Sequence, residues 1–279
     1  MCTSIETLGH LVEVAREWDK KFFDPGKGFP LIWWRGHADV EWDLLPTVLR
    51  PWFIQQVNSG ELLSPEHVRL LQRERTINRQ FRRRAASYIS GRMDNIDLYV
   101  LSQHHGMPTR ILDWTDTYLP ALFFACASHH DRDGAVFVMN PRFLLPRDED
   151  PANPVYPSDV VHIRHDVVAG TVATLYGEGD RLPNPCIVPF LPDLEAGRLH
   201  RQASCFTLHM PPFIDPANAG NTPQEPHLQI TCAEKWSVPK EAKPELLIDL
   251  RRAGISWETL FADLDNVSKE IRTACGMHP

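Results

Sequence analysis

The sequence predicts an α+β fold, in which helices at both ends of the chain surround a small mixed sheet. Apolar residues recur at helical spacing over 8–15 and again over 240–272. Short apolar or alternating runs, typical of strands, occupy the part between them. The run 135–139 is apolar throughout, which is the pattern of a central strand buried on both faces. Helices at both ends of the chain around a small sheet favour an α+β domain.

Composition and charge exclude several classes of protein. The chain has 279 residues and a net charge of −7 at pH 7, which argues against a protein that coats nucleic acid with its whole surface. Its six cysteines form no C-x-x-C pair, so a zinc ribbon is not expected. The first twenty residues lack the features of a signal peptide, and no run of about 18 apolar residues is present. We therefore expect a cytoplasmic protein that does not enter a membrane.

The N-terminal elements follow from capping and turn signals. Thr3 or Ser4 is predicted to cap the first helix, with Glu6 closing the capping box. A turn rich in Pro and Gly over 24–30 leads into a short buried strand at 31–35, which is expected to end at Gly36.

The rest of the chain alternates between helical and extended patterns. A long polar helix is predicted over 65–90, a shorter one over 97–103 and a buried apolar one over 120–128. The segments with strand patterns are 109–115, 135–139, 187–191, 204–209, 228–232 and 236–238. Near the C-terminus, Gly254 is expected to end one helix and Ser256 to cap the next.

The stretch WWRGH, residues 33–37, contains the first candidate binding residue. Arg35 stands at a strand end just before Gly36, which allows a close backbone approach or a positive φ. An arginine in that place is suited to binding a phosphate or carboxylate through two hydrogen bonds. The structural alternative is a buried ion pair with Asp43 or Asp113.

A dense polar set lies in QHHGMPTRILDWT, residues 103–115. His104 and His105 offer proton transfer or stacking, but with no carboxylate at helical spacing they are a weak signal for zinc. Asp113 lies among strand hydrophobes, where a carboxylate is costly unless an arginine or several backbone donors face it.

Two further segments supply candidates. The long polar helix carries a run of arginines that is suited to nucleic-acid phosphates, although a solvated helix face is the alternative. The four candidates there are Arg79, Arg82, Arg83 and Arg84. Gln202 enters a strand from a loop within RQASCFTLH, residues 201–209, and is either a pocket residue or a turn cap.

Five motifs, taken in order, resemble the FRG domain family. They are WRGH at 34–37, HHGMPTRILDWT at 104–115, ALFFA at 121–125, RQASCFTLH at 201–209 and KPELLIDLRRAGISWETLFADLD at 243–265. The resemblance implies a single FRG-like domain over 1–279, with its motifs within residues 31–265. The sequence departs from the family pattern at Trp34, where Phe or Tyr is usual, at Thr117-Tyr118, where Asn-Pro is common, and at Ser204, where Gly often follows the Gln.

A looser resemblance, to ADP-ribosyltransferase folds, rests on the order of a strand-borne Arg, a second strand with Thr, a buried helix and a late strand opened by a polar residue. It implies a mostly antiparallel central sheet and NAD as the substrate. By position, Arg35 would hold NAD, Thr109 or Thr115 would support the nicotinamide ribose, and Gln202 would orient the reacting ribose. The residues expected to bind NAD are Trp34, Arg35, Gly36, His37, Thr109, Arg110, Asp113 and Thr115.

The resemblance also implies an activity. The expected protein is an NAD-dependent ADP-ribosyltransferase or NAD glycohydrolase, acting as a toxin or phage-defence effector on a nucleic acid or protein. An antitoxin or immunity protein is an expected partner, and no metal is expected. Since Gln202 cannot ionise, His104 or His105 is predicted to act as the base. Two alternatives remain open: a non-catalytic module that binds a nucleotide or nucleic acid, and a nuclease-like hydrolase that uses His104, His105 and Asp113.

Overall fold

A computed structural model describes residues 4–23, 31–53, 66–89, 93–144, 168–178, 186–191, 204–210, 230, 233–261 and 264–275. Within these ranges the fold is α+β, as the sequence predicts. The helices are α1 Leu8–Phe22, α2 Glu66–Ala85, α3 Asn95–His104, α4 Tyr118–Cys126, α5 Ala169–Tyr176, α6 Lys243–Arg252, α7 Trp257–Leu260 and α8 Leu264–Ala274. The strands are β1 Trp33–His37, β2 Ile111–Thr115, β3 Gly134–Met139, β4 Cys186–Phe190, β5 Ser204–Met210 and β6 Glu234–Val238.

The six strands form one sheet in the order β4-β5-β2-β1-β3-β6, and each described strand pairs antiparallel with its neighbours. The mostly antiparallel sheet is thus confirmed. β3 lies between β1 and β6 and is buried at every residue, as its apolar run predicts. The pairing is uneven, because β1 matches β3 over five residues but matches β2 at one position, Trp34 opposite Thr115.

The apolar core forms separate layers on the two faces of the sheet. On one face, Trp34 and Val136 pack with α1, α4 and α6. On the opposite face, Trp33, Leu112 and Phe137 form a cluster that crosses from β3 through β1 to β2. A further cluster packs α2, α3 and α5 against β4 and β5. The sheet is therefore covered on both faces, and its two halves have largely different helical partners.

Helix α4 packs directly on the backbone of β1 at Gly36. A β-carbon at this position would overlap the carbonyl oxygen of Ala121 and lie 2.7 Å from the backbone nitrogen of Ala125. Of the two predicted reasons for a glycine here, the close backbone approach is the one observed. Contrary to the sequence-based expectation, β1 continues through Gly36 to His37.

The cap of α1 differs from the prediction. Thr7 accepts a hydrogen bond from the backbone N–H of His10 and caps the helix, in place of Ser4. Ser4 instead bridges to Ser237 beside the edge strand β6, and the N–H of the fully buried Ile5 donates to the Ser237 carbonyl at 2.7 Å. The chain is still extended at residues 4 and 5, so the helix begins one turn later. Thr3, the other predicted cap, lies outside the described residues.

Other predicted elements are found with modest shifts of their ends. Ser256 caps α7 through a capping box with Thr259, and Gly254 follows α6 with φ +84°. Helix α2 ends at Ala85, five residues before the predicted end. The predicted strand 228–232 lies outside the described residues except for Ile230. Among the helices that the structure describes, none is long and apolar enough to cross a membrane.

We expect Gly36→Ala to destabilise the protein by roughly 3 kcal/mol or more, because α4 must move away from β1 to admit a methyl group. The free energy of unfolding in urea measures the effect. Gly170→Ala is the matched control, since a β-carbon at this helical glycine meets no atom within 4 Å. Gly170 is the second residue of α5, and Ala has a higher helix propensity than Gly, so the control should be neutral or slightly stabilising. Equal effects of the two substitutions would contradict the packing described for Gly36.

Candidate functional site

A cleft of about 400 Å³ opens where β1 and β2 separate. Its polar lining comes chiefly from these two strands, from the end of α3, and from the segment that follows β1. The lining residues are Trp34, Arg35, Gly36, His37, Ala38, Trp42, Arg50, Gln103, His104, Asp113, Trp114, Thr115, Phe124, Ser128, Ser204 and Phe261.

The separation of the strands leaves the backbone of Asp113 facing the cleft. The N–H of His209 donates to the carbonyl of Arg110 at 2.9 Å, and hydrogen-bonded pairs alternate along an antiparallel ladder. Asp113 therefore belongs to a pair that does not bond to β5, and its N–H and C=O point toward β1. At this point β1 is too far from β2 to form a backbone hydrogen bond with Asp113. The Arg35 side chain supplies the donor instead, and its Nη1 donates to the Asp113 carbonyl at 2.5 Å.

His37 orients Arg35 from the same face of β1. Arg35 Nε donates to His37 Nε2 at 2.9 Å, which requires an unprotonated Nε2, so Nδ1–H donates to the Trp42 carbonyl at 3.2 Å. Burial and the Arg35 charge lower the pKa of the His37 imidazole to about 3. Burial also lowers the pKa of Arg35 to about 10, against the opposing effect of Asp113. At neutral pH the pair is a charged arginine held by a neutral histidine.

Gln103 orients the Asp113 carboxylate from the opposite side. Gln103 Nε2 donates to Asp113 Oδ2 at 3.0 Å, and the fully buried Thr109 hydroxyl donates to Gln103 Oε1. The Asp113 side chain remains 52% exposed, and its Oδ2 lies 3.9 Å from Arg35 Nη1. The carboxylate thus neutralises part of the arginine charge without a short hydrogen bond to it.

Arg50 is a second guanidinium at the same cleft. It follows the 3-10 turn Thr47–Leu49, and its Nε donates to the Leu45 carbonyl at 3.2 Å. Burial lowers the pKa of Arg50, while the Asp113 charge opposes this shift. Arg50 in turn contributes to the lowered pKa of Arg35. Two arginines therefore lie within electrostatic reach of one carboxylate.

Aromatic side chains form the apolar walls. Trp42 is 42% exposed and contacts the His37 and His129 rings edge-on, with centroids 6.0 and 5.1 Å away. Trp34 and Phe124 lie on the α4 side of the cleft. Exposed aromatic faces beside cationic groups can take a planar ring together with a linked anion. Chemically, the cleft is suited to a nucleotide.

The structure brings seven of the predicted site residues to this cleft. They are Trp34, Arg35, Gly36, His37, His104, Asp113 and Thr115. His105, the neighbour of His104, is exposed and does not line the cleft. Thr109 does not line it either and acts through Gln103. Gln202 lies outside the described residues, although Ser204, two positions later, does line the cleft.

Arg110 does not reach the cleft. Its guanidinium is fully buried and forms two hydrogen bonds with Glu74 of α2, at 2.7 and 2.5 Å. Strand alternation turns Arg110 away from its neighbours Thr109 and Ile111, and the guanidinium needs a partner in the core. The pair fastens the start of β2 to α2, so the structure gives Arg110 a structural contact where the sequence suggested a ligand contact.

Part of the arginine run on α2 holds the end of α5. Arg79 Nε donates to the Tyr176 carbonyl at 2.9 Å, as Arg75 does to Thr174, and Arg82 forms an ion pair with Glu178. The contacts of Arg75 and Arg79 go to carbonyls in the last turn of α5, where intrahelical N–H partners run out. Arg83 and Arg84 are exposed, and Arg83 donates to Gln80. Three of the four predicted phosphate contacts, Arg79, Arg82 and Arg83, thus have partners within the chain.

Nine of the sixteen lining residues were not among the predicted site residues, and they include Arg50, Gln103 and Trp42. Gln103 adjoins the His-His pair, so its position next to the motif was the available signal. Arg50 and Trp42 belong to the loop segment after β1, where no periodicity indicates which side chains turn inward. In the part of the chain that the structure describes, no group of three or more His, Cys, Asp or Glu side chains is arranged to hold a metal ion.

Comparisons with known proteins give one family. A model of the FRG domain matches residues 31–134. No curated protein and no solved structure gives a significant match. The matched range includes β1, β2 and α4, and with them most of the cleft lining, whereas Ser204 and Phe261 lie beyond it.

We expect Arg110→Met to destabilise the protein by about 3–5 kcal/mol, because Glu74 is then left buried without its partner. The double variant Glu74→Leu with Arg110→Met should recover most of the loss, and urea unfolding measures both. Arg82→Ala, which removes an exposed pair, serves as control and should cost less than about 1 kcal/mol. A double variant that loses the sum of the single effects would contradict a buried structural pair.

The free energy of unfolding should fall as the pH drops from 6.5, the ordinary pKa of histidine, to about 3, the value for His37 in the fold. In this window the unfolded chain binds a proton at residue 37 that the folded chain does not bind. The contribution of His37 to the slope is at most about 1.4 kcal/mol per pH unit. Urea unfolding between pH 7 and 4 should show a shallower dependence for His37→Gln, which keeps an acceptor for Arg35 but does not titrate. Identical slopes would refute a neutral, buried His37.

Proposed function

We propose that the protein, whose residues 31–134 match the FRG domain model, is an NAD-dependent ADP-ribosyltransferase or NAD glycohydrolase that acts as a toxin or defence effector. The observation that supports this most is the cleft itself, where two arginines lie together with the exposed Trp42 ring and the partly buried rings of Phe124 and Phe261. NAD presents a pyrophosphate between two ring systems, and this cleft offers a match for each part.

The proposed pose follows from the chemistry of the lining. Arg35 and Arg50 bind the pyrophosphate, since a guanidinium makes paired hydrogen bonds with phosphate oxygens. A ring of the dinucleotide lies against Trp42. The neutral His37 fixes the direction of Arg35, so the donor geometry is set before the ligand arrives.

The reaction breaks the bond between nicotinamide and its ribose, and the ribose gains cationic character. Such a step depends on positioning and electrostatics more than on a strong base. Among the candidate bases, His104 lines the cleft and His105 does not. We assign His104 to proton transfer from the acceptor, either a macromolecule or water. Gln202 keeps its proposed role of holding a ribose hydroxyl.

The binding-module alternative uses the same cleft without turnover, and the same experiment addresses it. The nuclease-like alternative loses one of its three groups, since His105 is outside the cleft while His104 and Asp113 line it. The contacts of α2 with α5 also weaken the case for a nucleic-acid face built from the arginine run.

We expect the protein to release nicotinamide from NAD, in water or in the presence of protein or nucleic-acid acceptors, as measured by chromatography. Arg35→Ala and Arg50→Ala should each lower the rate by at least about tenfold, since each removes a charge-assisted contact to phosphate. Arg84→Ala, an exposed arginine outside the cleft, is the matched control and should leave the rate unchanged.

Two results would count against the proposal. Nicotinamide release that persists at the wild-type rate in Arg35→Ala and Arg50→Ala, with melting temperatures unchanged, would place the reaction elsewhere. NAD binding without release, with every acceptor tried, would favour the non-catalytic nucleotide-binding module.

A further inference from the structure

Arg35 and Arg50 share one counter-ion that is only loosely attached. We infer that Asp113 is an internal counter-ion that occupies a two-arginine anion site and gives way to the diphosphate of a ligand. The inference rests on the proposed function for the choice of a diphosphate, but it concerns binding and does not depend on any reaction.

The attachment of Asp113 differs from that of a structural ion pair. The Arg110–Glu74 pair in the same protein has two hydrogen bonds of 2.7 and 2.5 Å and is fully buried. Asp113 Oδ2 lies 3.9 Å from Arg35 Nη1, and its side chain is 52% exposed. Such a separation gives Coulombic attraction without a hydrogen bond, and solvent screens it. The carboxylate can therefore part from Arg35 at small cost.

The arginines keep donors available for a ligand. Arg35 uses Nε on His37 and Nη1 on the Asp113 carbonyl, and Arg50 uses Nε on the Leu45 carbonyl. Among the residues that the structure describes, no hydrogen-bond partner is bound to Arg35 Nη2 or to the Nη atoms of Arg50. Two guanidinium groups that line the cleft and keep unbonded donors are suited to a ligand that carries two phosphates.

The described lining of the cleft carries a net positive charge, which favours the binding of an anion. Two arginines face one carboxylate, Asp113, while His37 is neutral because its Nε2 accepts from Arg35. An incoming diphosphate satisfies both arginines and replaces the attraction that Asp113 supplied. Because Asp113 then faces a ligand of its own sign, its charge works against binding.

If the Asp113 charge opposes binding, its removal should have the opposite effect to the removal of a residue that attracts the ligand. Removing the Asp113 charge should tighten diphosphate binding, whereas removing Arg50 should weaken it. With ADP as the probe, titration calorimetry at low ionic strength should show that Asp113→Asn lowers Kd by roughly fivefold to tenfold and that Arg50→Ala raises it by about tenfold. Asparagine keeps the shape of the side chain and an oxygen for Gln103.

Asp43→Asn is the matched control. Asp43 is an exposed carboxylate of the segment after β1 and does not line the cleft, so its removal changes the net charge of the protein equally. Its Kd for ADP should stay within about twofold of the wild-type value. An equal gain in Asp43→Asn and Asp113→Asn would assign the effect to the general field of the protein and overturn the inference.

The remaining outcomes are also decisive. Weaker or unchanged ADP binding in Asp113→Asn overturns the inference, as does the absence of ADP binding in both the wild type and this variant. If Asp113→Asn lowers the melting temperature, Asp113→Ser, which keeps a hydroxyl for Gln103, replaces it under the same criteria. ADP has no nicotinamide, so its binding tests this inference separately from the proposed reaction. Tighter ADP binding in Asp113→Asn without NAD cleavage by the wild type would support the inference and count against the reaction. NAD cleavage with unchanged ADP binding in Asp113→Asn would support the reaction and overturn the inference.

Discussion

The contact between α4 and the backbone of β1 at Gly36 determines where the sheet opens. No side chain fits between the helix and the strand at this point, so β1 is held close to α4 and to β3. β2 is held from the other side, by five pairs with β5 and by the Arg110–Glu74 pair to α2. Each strand is fastened to its own neighbours, and the two meet at Trp34 and Thr115 before they separate.

A gap in a sheet leaves backbone groups unpaired, and such groups are costly when they are buried. Arg35 donates a hydrogen bond to the Asp113 carbonyl, which would otherwise have no partner on β1. The same side chain therefore satisfies the backbone of β2 and places a positive charge in the cleft. The neutral His37 then fixes its direction. On the face of the sheet opposite α4, the cluster around Trp33, Leu112 and Phe137 includes residues of β1, β2 and β3, so apolar packing continues across the place where β1 and β2 separate.

The sequence predicts those parts of the site whose reasons are local. An arginine before a glycine at a strand end, and a carboxylate within an apolar strand, are each unusual enough to single out Arg35, Gly36 and Asp113, and all three lie at the cleft. The fold class follows from the periodic patterns in the same way. These features depend on residues within a few positions of one another, so a single sequence contains the information.

Other parts depend on distant residues and could not be predicted. Arg110 stands three residues before Asp113 and looks equally suited to a ligand, but Glu74 of α2 takes it into the core. The arginines of α2 look like a phosphate-binding face until α5 is in place beside them. Arg50 reaches the cleft through a 3-10 turn with no motif of its own. In each case tertiary partners decide the role, and the sequence separates these partners by tens of residues.

The cleft also depends on residues beyond the matched family range. Lys243, at the start of α6, is fully buried, and its Nζ donates to the carbonyls of Ala38, Ser128 and His129 at 2.8, 3.4 and 3.0 Å. His129 has a φ of +48°, a backbone conformation that is strained for a side chain of its size, and its ring contacts Trp42. Burial lowers the pKa of the Lys243 ammonium, yet three carbonyls satisfy its donors. One buried charge therefore joins both segments of the cleft rim to α6, so the geometry of the cleft is set partly by a residue more than 100 positions beyond the range that matches the FRG domain model.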